Sequence, residues 1–123
     1  MPQLHILQSI WGMEHRQPGR AERPLAECFR LIKAAGFDGI CHHFHDATEV
    51  AGWIGAAQDH GFTIEGQCFP RTVEELEPAL ELARRHRIHH LTVQADVRPA
   101  TVEECLPILV GFAAEWTAIR SEE

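Results

Sequence analysis

No stretch of this 123-residue chain is long and apolar enough to cross a membrane, because His, Gln or charged residues interrupt every hydrophobic run. The N-terminal segment, beginning Met1-Pro2-Gln3, has neither the basic start nor the apolar core of a signal peptide. Basic residues are fewer than acidic ones, 11 against 18, and the formal charge of −7 opposes nonspecific binding to nucleic acid or anionic lipid. We therefore expect a cytoplasmic protein with no nucleic-acid and no membrane partner.

The sequence also lacks a C-x-x-C pair, a G-x-G-x-x-G loop and a P-loop. Its four cysteines, Cys28, Cys41, Cys68 and Cys105, are far apart, and each falls inside a predicted helix or strand. This spacing predicts reduced, partly buried thiols rather than disulfides. The missing glycine-rich loops argue against a nucleotide-binding doubly wound sheet.

An internal repeat is the main organising feature that the chain does contain. Residues 70–80, PRTVEELEPAL, recur 29 positions later as residues 99–109, PATVEECLPIL, with proline, threonine and both glutamates in register. Such a spacing suits one βα unit of roughly 30 residues. We predict a single domain, 1–123, made of four consecutive βα units at about 4–36, 37–61, 62–87 and 88–120.

Two of the predicted strands, 63–69 and 89–95, alternate apolar with polar residues. If the apolar positions meet the helices, the polar positions point to the opposite face, which is a barrel interior or an interface. The strands of a doubly wound sheet are instead almost continuously apolar. The sequence therefore predicts an α/β fold with a parallel sheet that forms half of a (β/α)₈ TIM barrel.

The repeat also predicts where two helices begin. Thr72 with Glu75, and the equivalent pair at 101 and 104, have the spacing of a capping box. Pro78 and Pro107 stand six residues after those caps, where proline removes a helical hydrogen bond. Either each helix proper begins at its proline after a separate turn, or both helices run through their prolines with a kink.

Three histidines cluster at the carboxyl end of the predicted second strand, the edge at which barrel enzymes place their sites. Because neighbouring strand residues point to opposite faces, we expect His43 and His45 on one side and His42 on the other. Imidazoles there can bind a divalent metal, hydrogen-bond a sugar hydroxyl or relay a proton. The alternative is a polar turn with ordinary exposed histidines, since H-H-x-H is no established ligand spacing.

Side chains that follow other strands extend this candidate site. Trp11 begins the loop after the first strand and can form an apolar wall against a sugar ring, while Gln94 at the end of the fourth strand suits hydroxyl recognition. In the first loop, Arg16, Arg20 and Arg23 can meet a phosphate or carboxylate. The sequence favours an ordinary solvated surface for these arginines.

Three segments resemble the N-terminal half of the sugar phosphate isomerase/epimerase family, the xylose-isomerase-like barrels. They are residues 34–40, AAGFDGI, the pair 61–62, GF, and residues 91–99, LTVQADVRP, with the capped helix behind them. The resemblance covers most of the chain and implies a protein that isomerises or epimerises sugars or sugar phosphates by metal-dependent proton transfer next to a carbonyl. It implies these substrate-facing positions: Trp11, His42, His43, His45, Cys68, Phe69 and Gln94.

The resemblance also implies a divalent metal, Mn²⁺, Mg²⁺ or Zn²⁺, whose carboxylate ligands and acid-base pair come from strands five to eight of the complete barrel. With four strands, this chain is expected to supply only the substrate-binding half and to be inactive alone, and no catalytic residue is assigned. His43 and His45 are the metal candidates that it offers. Cys41 departs from the family pattern, in which this position is frequently acidic.

An incomplete barrel leaves a large inner face and two strand edges uncovered. We expect the chain to be a piece of a longer product with a missing C-terminal half, a homo-oligomer with a four-plus-four barrel, or a subunit completed by another protein. Its expected ligand is a small carbohydrate or sugar phosphate. The alternative function is a noncatalytic binding or assembly module. Abasic-site DNA repair, known among relatives of the family, is a third possibility that the acidic charge opposes.

Overall fold

The computed structural model of the chain describes residues 2–16 and 18–121, the last three by their backbone alone. The strands are β1 (Leu7–Ser9), β2 (Gly39–His43), β3 (Thr63–Cys68) and β4 (His90–Val93). The helices are α1 (Leu25–Ala34), α2 (Ala47–Asp59), α3 (Val73–Arg85) and α4 (Val102–Ser121), and a short 3₁₀ turn, Trp11–Met13, follows β1. All strand pairs are parallel and the order is β1-β2-β3-β4, so the predicted α/β fold of four βα units is confirmed.

Strands in chain order place the connecting helices on one face of the sheet, because parallel crossovers are right-handed. The buried side chains agree with this arrangement. Ile40 of β2 and Ile64 of β3 belong to the same hydrophobic core as Phe29 of α1, Ile54 of α2 and Leu80 of α3. The core therefore lies between the sheet and the helix layer.

The opposite side of the sheet, called the open face below, carries mostly polar side chains. Strand register aligns Ser9 with Cys41 and Cys41 with Glu65, and it aligns His43 with Gln67 and Gln67 with Thr92. Residues paired across neighbouring parallel strands point to the same face. The open face therefore includes these residues: Ser9, Cys41, His43, Glu65, Gln67 and Thr92.

The first three helices end in the same way. The residue that closes each one has a positive φ angle: Gly36 (87°), Gly61 (72°) and Arg87 (56°). The next residue is apolar and donates its backbone N–H to the carbonyl five positions back, as Ile88 does to Ala83 at 2.8 Å. This hydrogen bond defines a Schellman motif, which turns the chain from the helix into the following strand.

The predicted helix starts are present, and both prolines lie inside continuous helices. The Oγ1 atom of Thr72 accepts a hydrogen bond from the backbone N–H of Glu75 at 3.2 Å, and the equivalent bond at α4 measures 3.3 Å. Pro78 lies within α3 and Pro107 within α4, so neither proline begins its helix. Both are exposed, and water can therefore satisfy the carbonyl group that each leaves without a donor.

Strand β4 ends at Val93, two residues before the predicted end. Beyond it the backbone leaves the sheet and follows the loop after β3, where the N–H of Asp96 donates to the carbonyl of Pro70 at 3.1 Å. Among the described residues, no helix combines the length and the apolar character required to cross a bilayer.

Candidate functional site

A cavity of about 410 Å³ lies at the carboxyl edge of the sheet, between the loop after β1 and the first turns of α1 and α2. Part of its wall is apolar: Ile10, Met13, Leu25 and Cys28. The rest is ionisable: Glu14, His15, Glu22, Arg23, His42, His45 and Glu49. Its volume falls in the range of small-molecule sites, and its mixed lining suits a ligand with both C–H and hydroxyl groups.

Two imidazole-carboxylate pairs face this cavity. The Nδ1 atom of His15 lies 2.6 Å from Oε1 of Glu22, and the Nε2 atom of His45 lies 3.0 Å from Oε2 of Glu49. Exposed pairs of this kind stabilise a fold by only about 0 to 1 kcal/mol. Their main chemical property here is to present hydrogen-bond donors and acceptors side by side on the cavity wall.

His42 is half-buried and points toward the helices. Its ring centre lies 4.9 Å from that of Trp53 in α2. Burial lowers the pKa of His42 to about 4, and the neighbouring rings of His43 and His45 add to the shift. At neutral pH this imidazole is therefore uncharged, with one nitrogen that donates a hydrogen bond and one that accepts.

The three histidines occupy three different positions around the end of β2. Their ring centres are 6.3 to 6.5 Å apart, with His42 on the helix side and His43 on the open face, where it contacts Phe69 at 5.1 Å. His45 lies in the loop between β2 and α2, about equally far from both rings. Because β2 ends at His43, the alternation of faces does not extend to His45, and simple strand parity does not fix its position.

The other predicted substrate-facing residues are more dispersed. Trp11 lies on the 3₁₀ turn and is 66% exposed, but its neighbours Ile10 and Met13 line the cavity. Gln94 is exposed just beyond β4, and its backbone N–H donates to the carbonyl of Cys68 at 3.0 Å. The side chain of Cys68 belongs to the buried core on the helix side, because this residue has the same strand parity as Ile64. Cys68 therefore contributes to packing rather than to the open face.

Glu65 is a candidate residue that the sequence did not single out. On the open face its Oε1 atom accepts a hydrogen bond from Oγ1 of Thr92 at 2.8 Å and contacts the Cys41 thiol at 3.5 Å. Burial, together with the neighbouring Glu65, raises the pKa of Cys41 to about 12, so this thiol stays protonated and donates. The alternation in β3 indicated the polar face, but the cluster depends on the register of three strands, which no local pattern reveals.

The histidine cluster does not by itself meet the requirements of a metal site. Within residues 2–16 and 18–121, no three His, Cys, Asp or Glu side chains come close enough together to hold a metal ion. The rings of His43 and His45 are 6.4 Å apart, and His45 is already bonded to Glu49. The described residues therefore do not fit a divalent metal on their own.

Comparison with known proteins adds no relative, since no family model, no curated protein and no solved structure matches this chain. The class of protein follows from the molecule itself. It is an α/β protein of four βα units with a mixed polar and apolar cavity at the carboxyl edge of its parallel sheet.

Proposed function

We propose that this chain is the substrate-binding half of a sugar isomerase or epimerase barrel, a (β/α)₈ protein that moves a proton next to a carbonyl group. The observation that supports this proposal is the cavity at the carboxyl edge, where two imidazole-carboxylate pairs face an apolar wall. In parallel α/β sheets, ligands bind at this edge. Sugars combine hydroxyl groups with C–H surfaces, which is the combination that the lining accommodates.

The lining residues are assigned to binding rather than to proton transfer. The pairs formed by His45 with Glu49 and by His15 with Glu22 exchange hydrogen bonds with hydroxyl groups, while Met13 contacts the C–H side of the sugar. His42, whose pKa is about 4, is a weak base at neutral pH and recognises a hydroxyl in its uncharged form. A divalent metal would have to be held by residues of the complete barrel beyond the described ones, and there it would supply polarisation of the carbonyl group.

Completion of the barrel is the second part of the proposal. Among the described residues, β1 and β4 each pair with only one neighbouring strand, so each keeps one free edge. Four further strands, from a second copy of the chain or from another polypeptide segment, pair with these edges and enclose the open face as the barrel interior. The polar cluster of Cys41, Glu65 and Thr92 then faces the interior.

Solution mass and turnover test this proposal together. The purified chain is assayed with aldoses, ketoses and their phosphates in the presence of Mn²⁺ or Mg²⁺, and its mass is measured under the same conditions. Isomerase or epimerase turnover in a completed assembly, reduced in a His45→Ala variant but not in a His89→Ala variant, is the supporting result. His89 is an exposed histidine that precedes β4 at the opposite edge and serves as the matched control. A monomer without turnover or metal affinity contradicts the isomerase proposal for this chain.

A noncatalytic assembly module is the second candidate, and α4 favours it. Four of its apolar side chains are 45 to 71% exposed: Val102, Leu106, Leu109 and Val110. They repeat at helical spacing, so they form one uncovered stripe. An oligomer that buries this stripe but has no turnover on any sugar supports assembly over catalysis.

A further inference from the structure

The arginines of the loop after β1 differ from most other arginines in the chain. Five of the other described arginines each form an ion pair with a carboxylate, although Arg87 does not: Arg30, Arg71, Arg84, Arg85 and Arg98. Among the described residues, Arg16 and Arg23 form no ion pair with an acidic side chain. Arg16 donates instead to the carbonyl of Gly12 at 2.6 Å, and Arg23 lies beside the Cys28 thiol. Their charge is therefore not neutralised by a carboxylate.

Glu22, a carboxylate beside these arginines, is already engaged by His15. Glu22 accepts a hydrogen bond from the backbone N–H of His15 at 2.9 Å, and its Oε1 atom lies 2.6 Å from the Nδ1 atom of the His15 ring. Glu22 lines the same small pocket as Arg16, Arg20 and Arg23. Three guanidinium groups and one carboxylate give this pocket a positive balance, on a chain whose formal charge is −7.

The position of the pocket connects it to the proposed sugar site. Its volume is about 30 Å³, which is the space of one water molecule or one phosphoryl oxygen. Met13, Glu22 and Arg23 line both this pocket and the cavity of about 410 Å³. An anionic group at the mouth of the pocket can therefore belong to a molecule whose body occupies the cavity.

We propose that Arg16, Arg20 and Arg23 bind the phosphate of a phosphorylated polyol. Three guanidinium groups match a phosphate dianion, with its three terminal oxygens, better than a carboxylate, with two. The inference rests on the proposed function in treating the neighbouring cavity as the sugar site. Arg16 and Arg20 line the small pocket but not the cavity, so the phosphate site and the sugar cavity can fail independently.

The test measures the binding of inorganic phosphate, a hexose phosphate, a sugar acid and the neutral hexose by NMR titration of the ¹⁵N-labelled chain at low ionic strength. The double variant Arg16→Gln/Arg20→Gln is compared with Arg84→Gln/Arg85→Gln, which removes the same charge from the end of α3. Both arginines of the first pair are exposed, and thermal unfolding of each variant confirms that it is folded. Arg23→Gln, compared with Arg84→Gln, tests the half-buried member of the pocket.

We expect phosphate and the hexose phosphate to bind the native chain, and the hexose phosphate to bind more tightly than the sugar acid. Loss of one charge-assisted hydrogen bond weakens binding roughly tenfold, so the first double variant should lose at least that factor. The control pair should stay within about twofold, since it changes only the long-range field.

Equal weakening by both pairs, or no saturable binding of phosphate, overturns the phosphate site. Tighter binding of the sugar acid than of the hexose phosphate overturns the choice of phosphate. If inorganic phosphate binds through these arginines but the hexose adds no affinity, the proposed sugar cavity is wrong while the anion site stands. If the neutral hexose binds in the cavity and phosphate does not bind, the anion site is wrong while the sugar cavity stands.

Discussion

Replacing Gly66 in β3 with alanine should destabilise the protein, because the side chains of buried Phe44 and half-buried Leu91 occupy the space of a Cβ atom. A Cβ built on Gly66 would lie 2.7 Å from ring atoms of Phe44 and 2.9 Å from Cδ1 of Leu91. Carbon atoms in favourable contact are separated by about 3.5 to 4.0 Å, so both neighbours must move by roughly 1 Å. Overpacking of this kind typically costs about 1 to 3 kcal/mol in the free energy of unfolding.

Thermal and urea unfolding measure this effect against a control of opposite sign. For a chain of this length, 1 kcal/mol corresponds to about 3 to 6 °C in Tm, so Gly66→Ala should melt several degrees lower. Gly52 is exposed within α2, and no neighbouring atom lies within 4 Å of its added Cβ. Gly52→Ala should therefore stabilise the chain by about 0.5 to 1 kcal/mol, because alanine loses less backbone entropy in a helix.

The Gly66→Ala substitution should also perturb the candidate site. Phe44 directly precedes His45, and its displacement should shift the NMR signals of the histidine cluster in the folded variant. A neutral or stabilising effect of Gly66→Ala, with Gly52→Ala behaving as expected, would refute the assignment of Gly66 to the helix side. The placement of Glu65 on the open face would then be wrong as well, since neighbouring strand residues face opposite sides.

Three further predictions concern the helix ends, the buried histidine and the thiols. Arg87→Gly should raise the free energy of unfolding by about 1 kcal/mol, because a side chain at φ 56° is strained, and Gly61→Ala at φ 72° should lower it by a similar amount. A lower Tm for Arg87→Gly or a higher Tm for Gly61→Ala would contradict the Schellman assignment. The pKa of His42 is about 4 in the folded chain and about 6.5 when unfolded, so between these pH values the unfolded chain binds an extra proton and the contribution of His42 to stability falls as the pH drops. In urea unfolding, the stability of His42→Gln relative to the native chain should therefore rise as the pH is lowered from 6.5 to 4. A difference in stability that does not change with pH would count against burial of this ring. At pH 8 a thiol reagent should rapidly modify one cysteine, Cys105, which is half-buried. The other three, Cys28, Cys41 and Cys68, are buried, and burial raises their pKa values. Loss of the rapid phase in Cys105→Ser would confirm the assignment, and two or more rapidly modified thiols would contradict it.

Local sequence signals were sufficient to predict the architecture. Threonine and glutamate three residues apart mark the starts of α3 and α4, and Gly36 and Gly61 mark the ends of α1 and α2. These signals depend on hydrogen bonds and backbone angles within a few residues, so they can be read without knowledge of the tertiary structure. The alternation within β3 likewise predicted which of its faces meets the helices.

The candidate site was predictable only in part, because its contacts join distant segments. The histidines of β2 were identified from their clustering, but the cavity also requires the conformation of the loop after β1. In that loop His15 adopts a φ angle of 51° and pairs with Glu22, and no periodic pattern in the sequence predicts this contact. The contact of Glu65 with Thr92 depends in the same way on strand register across 27 residues.

NMR titration of the ¹⁵N-labelled chain with hexoses and hexose phosphates tests most directly whether the cavity at the carboxyl edge binds a sugar. We expect saturable shifts concentrated at cavity residues such as Met13, His42 and Glu49, with little change at the opposite edge around His89. Replacing Glu49 with glutamine should weaken this binding, since it removes the carboxylate that pairs with His45. Shifts that are absent, do not saturate or spread evenly over the chain would contradict the claim.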